Sequence, residues 1–123
     1  MNITIGDAEL EIMKVLWKAG EPVSTQYIND AVEEKSWKRT TISTFLARLV
    51  QKGAVTSEKR GKLYYYAPLI SKGEYRREQT KSLIKSLYNG SVRELAVSLF
   101  EEERLSDEDI RELRSMFDGW EEK

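Results

Sequence analysis

The 123-residue sequence predicts a mainly α-helical protein with one small β element, an α+β fold class. Three observations predict it. Apolar residues recur at helical spacing in six separate segments. A single pair of short β-leaning runs flanks a Gly-containing connection. Gly and Pro interrupt the segments at Gly20-Glu21-Pro22, Gly53, Pro68 and Asn89-Gly90, where a helix or strand has to stop.

Taken in order, Asp7 is placed to cap a first helix running to about Lys18, with Ile12, Val15, Leu16 and Ala19 on its buried side. Ser24 is an N-cap for a short second helix that turns Ile28, Ala31 and Val32 inward. Residues 38–52 make the third helix. Its Ile42, Phe45, Leu46, Leu49 and Val50 follow the i, i+3, i+4, i+7, i+8 pattern, and Gly53 fits the left-handed position that ends it. The runs Val55–Glu58 and Leu63–Tyr66 flank Lys59-Arg60-Gly61-Lys62, which reads as a β-hairpin with a basic tip, and Pro68 ends its second strand. Three helices followed by such a hairpin is the order of a winged helix-turn-helix with a two-stranded wing, assigned to residues 1–70.

Residues 71–123 read as three further helices. The first covers 73–88, with Leu83, Ile84, Leu87 and Tyr88 as its apolar residues. Ser91-Val-Arg-Glu94 forms a capping box that opens the next, with Val92, Leu95, Ala96, Leu99 and Phe100 on one face. Ser106-Asp-Glu-Asp109 starts the last in a similar way, aligning Ile110, Leu113, Met116 and Phe117. Short helices bury little by themselves. These stripes need either the first domain or a second copy of the chain.

Composition narrows the chemistry. The chain has no Cys and no His, which removes thiolates, disulfides, the usual zinc sites and the commonest general base. No convergent carboxylate pair stands out, so an enzyme is not expected, nor is a cofactor or a metal. No apolar run spans a bilayer and no signal peptide is evident, so the expectation is a cytoplasmic protein without membrane insertion. The formal net charge of −1 hides an asymmetry. Residues 35–62 hold eight cations against Glu58 alone, a local +7, whereas residues 73–123 hold nine cations against thirteen anions, a local −4. A solvated lysine-rich face would show such a basic middle, and so would a nucleic-acid surface joined to an unrelated module.

The stretch WKRTTISTFLARLVQKG, 37–53, favours the second. With its stripe buried, the opposite face of the third helix shows Lys38, Arg39, Thr40, Thr41, Ser43, Thr44, Ala47, Arg48, Gln51 and Lys52. Hydroxyl and β-branched residues lower helix propensity, and an ordinary exposed face would carry Glu, Lys and Ala instead. Short hydroxyls at the N-terminal end of a recognition helix suit base edges in the major groove, while Arg48 and Lys52 are better placed for phosphates. Lys59, Arg60 and Lys62 would add phosphate or minor-groove contacts from the wing. Aromatics on a strand can stack unpaired bases, but Tyr64, Tyr65 and Tyr66 read more simply as packing the hairpin on the third helix. Trp17 and Trp37 likewise read as packing residues. Glu101–Glu103 and Asp107–Asp109 lack a calcium-loop spacing and read as capped, solvated helix.

At this point a resemblance is specific. The pattern W-x-x-x-T-[IV]-x-T-x-x-x-R-L-x-x-K-G, here Trp37 to Gly53, followed by a basic wing and Tyr65-Tyr66, resembles the penicillinase and methicillin-resistance repressor family. AELEIMKVLW at 8–17 and the segment from about Lys81 through Phe117 are similar to it as well. The resemblance implies a homodimeric winged-helix repressor that binds inverted-repeat, double-stranded operator DNA ahead of β-lactam-resistance genes and its own operon. Thr41, Thr44 and Arg48 fall on the family's recognition pattern. Leu83, Leu87, Val92, Leu95, Leu99, Phe100, Ile110, Leu113 and Phe117 are the expected dimerisation residues. The resemblance also implies inactivation by proteolysis at Leu99-Phe100, triggered through a membrane sensor. Two departures stand out. Thr40 and Ser43 replace basic residues of the staphylococcal relatives, and the absent Cys cluster excludes copper sensing by the route used in another branch. The competing reading is a winged-helix adaptor that binds a protein rather than DNA.

Overall fold

The computed structural model describes residues 3–101 and 105–121, except the side chains of Phe100, Glu101 and residues 116–121. Helix α1 (Asp7–Ala19) is capped by Gly6 and not by Asp7, which occupies the first helical position, where its charge suits the helix N-terminus. The Gly6 N–H donates to Glu9 Oε1 at 2.8 Å, so the carboxylate three residues on closes the turn. Ile12, Met13 and Leu16 are fully buried, and Val15 and Ala19 are half-buried. The buried line therefore runs through Met13, one step round the helix from the expected one.

Gly20, at φ 71, ends α1, and the chain enters the two-residue strand β1 (Val23–Ser24). Ser24 caps α2 (Thr25–Ala31), accepting the Tyr27 N–H at 3.2 Å. Ile28 and Val32 are buried. Ala31, expected inward, is exposed, because the buried line passes from Ile28 to Val32 and leaves Ala31 at its edge. A 3₁₀ turn, Glu33–Lys35, closes on Ser36 at φ 57 and leads to α3 (Arg39–Gln51). Ile42, Leu46 and Leu49 sink into the core. Phe45 is half-buried and meets the Trp37 ring edge-on at 5.2 Å. Val50 is exposed, so the stripe is narrower than its spacing suggested.

After Gly53 (φ 82) the buried Ala54 donates to Leu49 O at 3.0 Å, turning the chain into strand β2 (Val55–Arg60). Strand β3 (Leu63–Pro68) pairs with it antiparallel, and the register Arg60↔Leu63 leaves only Gly61-Lys62 in the turn. Gly61, at φ 65, takes the first central position, where a two-residue hairpin requires a positive φ. Lys59 and Arg60 are therefore strand residues and not part of the tip. The hairpin also gains a third strand: β1 pairs with β3 through Val23↔Tyr66 and Ser24↔Tyr65, in the order β1-β3-β2.

The chain divides into two compact units, Met1–Glu78 and Gln79–Lys123. The division falls inside α4 (Lys72–Leu87), later than residue 70, for a local reason. Trp17 Nε1 donates to Ile70 O at 2.9 Å and its ring packs on Tyr75 at 5.8 Å, which ties the first turn of α4 to α1. Ser71 and Glu74 form a reciprocal capping box there. In the second unit, Asn89 (φ 50) and Gly90 (φ 83) end α4, and Ser91 caps α5 (Val92–Glu101) through the Glu94 N–H at 3.1 Å. Ser106 and Asp109 cap α6 (Asp107–Glu121) reciprocally at 3.1 and 3.4 Å. The Tyr88 hydroxyl bonds Ser98 Oγ at 3.1 Å, fixing the end of α4 to α5.

Candidate nucleic-acid interface

The burial of Ile42, Leu46 and Leu49 sets the rotation of α3. The residues left on the opposite side are Arg39, Thr40, Ser43, Thr44, Ala47, Arg48 and Gln51, all exposed, with Lys38 exposed at the N-cap and Thr41 half-buried at the edge. No acidic residue occurs between Lys35 and Glu58. The sequence thus provides a cationic helix face and the core orients it outward. Thr44 Oγ1 donates to Thr40 O at 2.9 Å. Its proton is committed, so towards a duplex Thr44 offers a methyl group and acceptor lone pairs, not a donor. Arg39 lies 3.5 Å from Gln26 Oε1, and Gln26 is itself held by Asp30 at 2.8 Å, so α2 steadies the cation at the start of α3.

Lys52 sits differently from the other cations. Its ammonium lies 2.6 Å from Glu9 Oε1, and the Glu9 side chain is 7% exposed against 34% for Lys52. Burial pushes the Glu9 carboxyl up, but the Lys52 hydrogen bond, the Gly6 N–H and the positive charges of Lys52 and Arg48 together hold it below its ordinary 4.5. Glu9 was not among the residues singled out in the sequence. A signal was available, since Glu9 falls on the same i, i+3, i+4, i+7 line as Ile12, Met13 and Leu16. A charge in a buried stripe calls for a partner.

On the wing, strand alternation separates the cations. Lys59 shares a face with Val55, Ser57, Tyr64 and Tyr66, whereas Arg60 shares the other with Glu58, Leu63 and Tyr65. The Lys59 ammonium stands 5.9 Å from the centroid of Tyr64, and the Arg60 guanidinium 4.8 Å from that of Tyr65. Arg60 is also paired with Glu58 at 3.2 Å, an exposed contact that contributes little stability but restrains the guanidinium. Lys62 is exposed in the turn. The three tyrosines divide in role. Tyr66 packs against the core, while Tyr64 is exposed and Tyr65 half-buried, each serving as a platform under a cation.

The second unit presents an apolar groove of about 430 Å³ between α5 and α6, lined by Val92, Leu95, Leu99, Ile110 and Leu113 with Ala96, Leu105 and Arg114. Five of the nine expected dimerisation residues meet there. Leu83 and Leu87 are exposed on α4 and are not part of that lining. The side chains of Phe100 and Phe117, like those of Trp120 and Glu101–Glu103, lie outside the described residues. Among the described residues no helix is long and apolar enough to cross a membrane, and no group of three or more acidic side chains is placed to hold a metal ion.

A profile of the penicillinase repressor family matches residues 5–119. The penicillinase repressor of Bacillus licheniformis is 36% identical over 109 residues, which cover 89% of this chain and 85% of that protein. The methicillin resistance regulatory protein MecI of Staphylococcus aureus is 30% identical over 112 residues, 91% of each chain. Among solved structures, the DNA-binding domain of the repressor BlaI superposes with a TM-score of 0.54 at 38% identity, over 59% of this chain and 89% of that one. The Bacillus licheniformis BlaI monomer in complex with the blaP half-operator gives 0.52 at 38% identity, over 60% of this chain and 92% of that one.

Proposed function

Because the chain belongs to the penicillinase repressor family, we propose that it is a homodimeric transcriptional repressor that reads inverted-repeat operator DNA with α3 and the wing. The observation that carries the proposal is the acid-free face of α3, rich in hydroxyls and cations and held outward by the burial of Ile42, Leu46 and Leu49. The relative bound as a monomer to a half-operator supports one head per half-site. In this reading Thr40, Thr41, Ser43 and Thr44 face base edges. Lys38, Arg39, Arg48, Lys59, Arg60 and Lys62 neutralise phosphates, which fix register without carrying sequence information.

One head reads few base pairs, and each correct pair discriminates by roughly 1–3 kcal/mol, too little against the competing sites of a genome. Joining two heads doubles the readout and imposes two-fold symmetry on the operator. The exposed Leu83, Leu87, Val92 and Leu99 and the groove between α5 and α6 are the surface that a second copy would cover. The regulated genes are then β-lactam-resistance or related genes and the protein's own operon. Cleavage at Leu99-Phe100, prompted by a membrane sensor system, would cut that surface and release the operator without altering the heads. Leu99 lies within α5 with its side chain 44% exposed, so such a cut would need the end of α5 to unwind locally.

The test is a binding titration against inverted-repeat DNA from upstream of the protein's own gene, at low and moderate salt. Two chains per duplex and a steep loss of affinity with salt are expected, because each neutralised phosphate contributes about 0.9 to the logarithmic salt slope. Arg48→Ala should weaken operator binding while leaving helical content and dimer intact. Affinity no better than for random duplex, with a salt-insensitive protein partner recovered instead, would favour the adaptor reading.

A further inference from the structure

The basic residue closest to the end of the recognition helix is not open to DNA in the way its neighbours are. Lys52 follows the last turn of α3, and its ammonium is drawn back 2.6 Å from Glu9, which lies on α1, 43 residues earlier. The same Glu9 oxygen accepts the Gly6 N–H at 2.8 Å. A Cβ at Gly6 would stand only 3.2 Å from that oxygen, so a glycine there lets the carboxylate close under the N–H. Glu9 is 5% exposed, and its second oxygen has no hydrogen-bond partner among the described residues. A carboxylate so placed loses its hydration and leans on the Lys52 ammonium and the Gly6 N–H that face it. The Lys52 N–H in turn donates to Arg48 O at 2.9 Å, so the backbone of the anchoring residue is continuous with the last turn of α3.

We infer that Glu9 is a positioning residue for DNA reading: it withholds Lys52 from the phosphate backbone and uses it to fix the C-terminal end of α3 on α1. Lys52 is thus an anchor and not a phosphate contact, although it sits on the cationic side of the helix. The pair sets the tilt at which Arg39, Thr40, Ser43 and Thr44 enter the groove, since a helix held at its far end cannot pivot about Ile42 and Leu46. The inference rests on the operator-binding reading above, and the two fail in different experiments.

Lys52→Met is compared with the unchanged protein on operator and random duplex across a salt series. The expected result is an unchanged salt slope on both duplexes, with operator affinity reduced several-fold and operator preference lost in proportion. A slope shallower by about 0.9 would show that Lys52 neutralises a phosphate and would overturn the inference. Lys52→Arg, which keeps a cation for Glu9, is expected to restore operator preference. A failure to restore it counts against the anchor. Because Lys52→Met leaves a buried carboxylate without its cation, the Glu9→Gln/Lys52→Met variant carries the same slope test without an unpaired charge. Thermal melts of the two single variants and the double form a cycle independent of DNA. Additive losses there overturn the pairing, and a coupled loss supports it even if the unchanged protein shows no operator preference, which is the separate failure of the functional reading.

Discussion

Glu9 shows how much one residue can depend on residues far along the chain. Burying a carboxylate without a partner costs several kcal/mol, and the Lys52 ammonium and the Gly6 N–H meet that cost. Its folded-state pKa is depressed below 4.5, so its contribution is fully present above that value and is lost as pH falls towards the folded pKa. Thermal melts of the unchanged protein should therefore lose stability as acid is added below about pH 4.5, the ordinary value for Glu9. Glu9→Gln should be less stable at neutral pH and show a flatter decline in that window. An identical decline would assign the acid sensitivity to other carboxylates. Leu46 makes the opposite kind of demand, being apolar and 1% exposed. Leu46→Ala should lower stability by about 2–5 kcal/mol in a denaturant titration, by transfer plus cavity.

At the scale of elements, the wing carries a sharp test. Gly61 stands at φ 65 with open space around the position of a Cβ, so Gly61→Ala meets no clash and only backbone strain. It should cost about 1–2 kcal/mol, read as a lower Tm, with α3 and its helical signal retained. The same hairpin shows what the sequence made legible. Alternation located β3 and its tyrosines, but the run Lys59-Arg60-Gly61-Lys62 looked like a four-residue tip because charged residues commonly occupy turns. Two of the four are strand residues, placed on opposite faces. β1 was invisible because two residues cannot show a period. The box Ser71-Lys-Gly-Glu74 was missed although it has the spacing that located α5, with Gly73 interrupting what would otherwise read as helix. The candidate interface was easier to find, being the complement of a buried stripe that local spacing reveals. The partner of Lys52 was not, since no window of a few turns contains both it and Glu9.

For the whole molecule, the proposed dimer separates two roles that one substitution can distinguish. Leu95 is half-buried in the groove between α5 and α6. Leu95→Asp should place a charge in the covered interface and leave single chains by sedimentation. Binding to the full inverted repeat should weaken strongly, while binding to one half-site stays as before. A variant that remains fully dimeric would move the interface to another surface, with the exposed Leu83 and Leu87 of α4 the first to examine. The design of α3 has a further consequence for heat. A helix rich in Thr and Ser has little tendency to exist alone, and its shape is lent by Ile42, Leu46 and Leu49, which share one core with Ile12 and Leu16 of α1. The proposed reading surface has no melting point of its own. Warming should leave binding to a single half-site in place until the head unfolds, then abolish it in a single step, and backbone amides at Leu46 and Leu49 should exchange with solvent as slowly as those at Ile12 and Leu16.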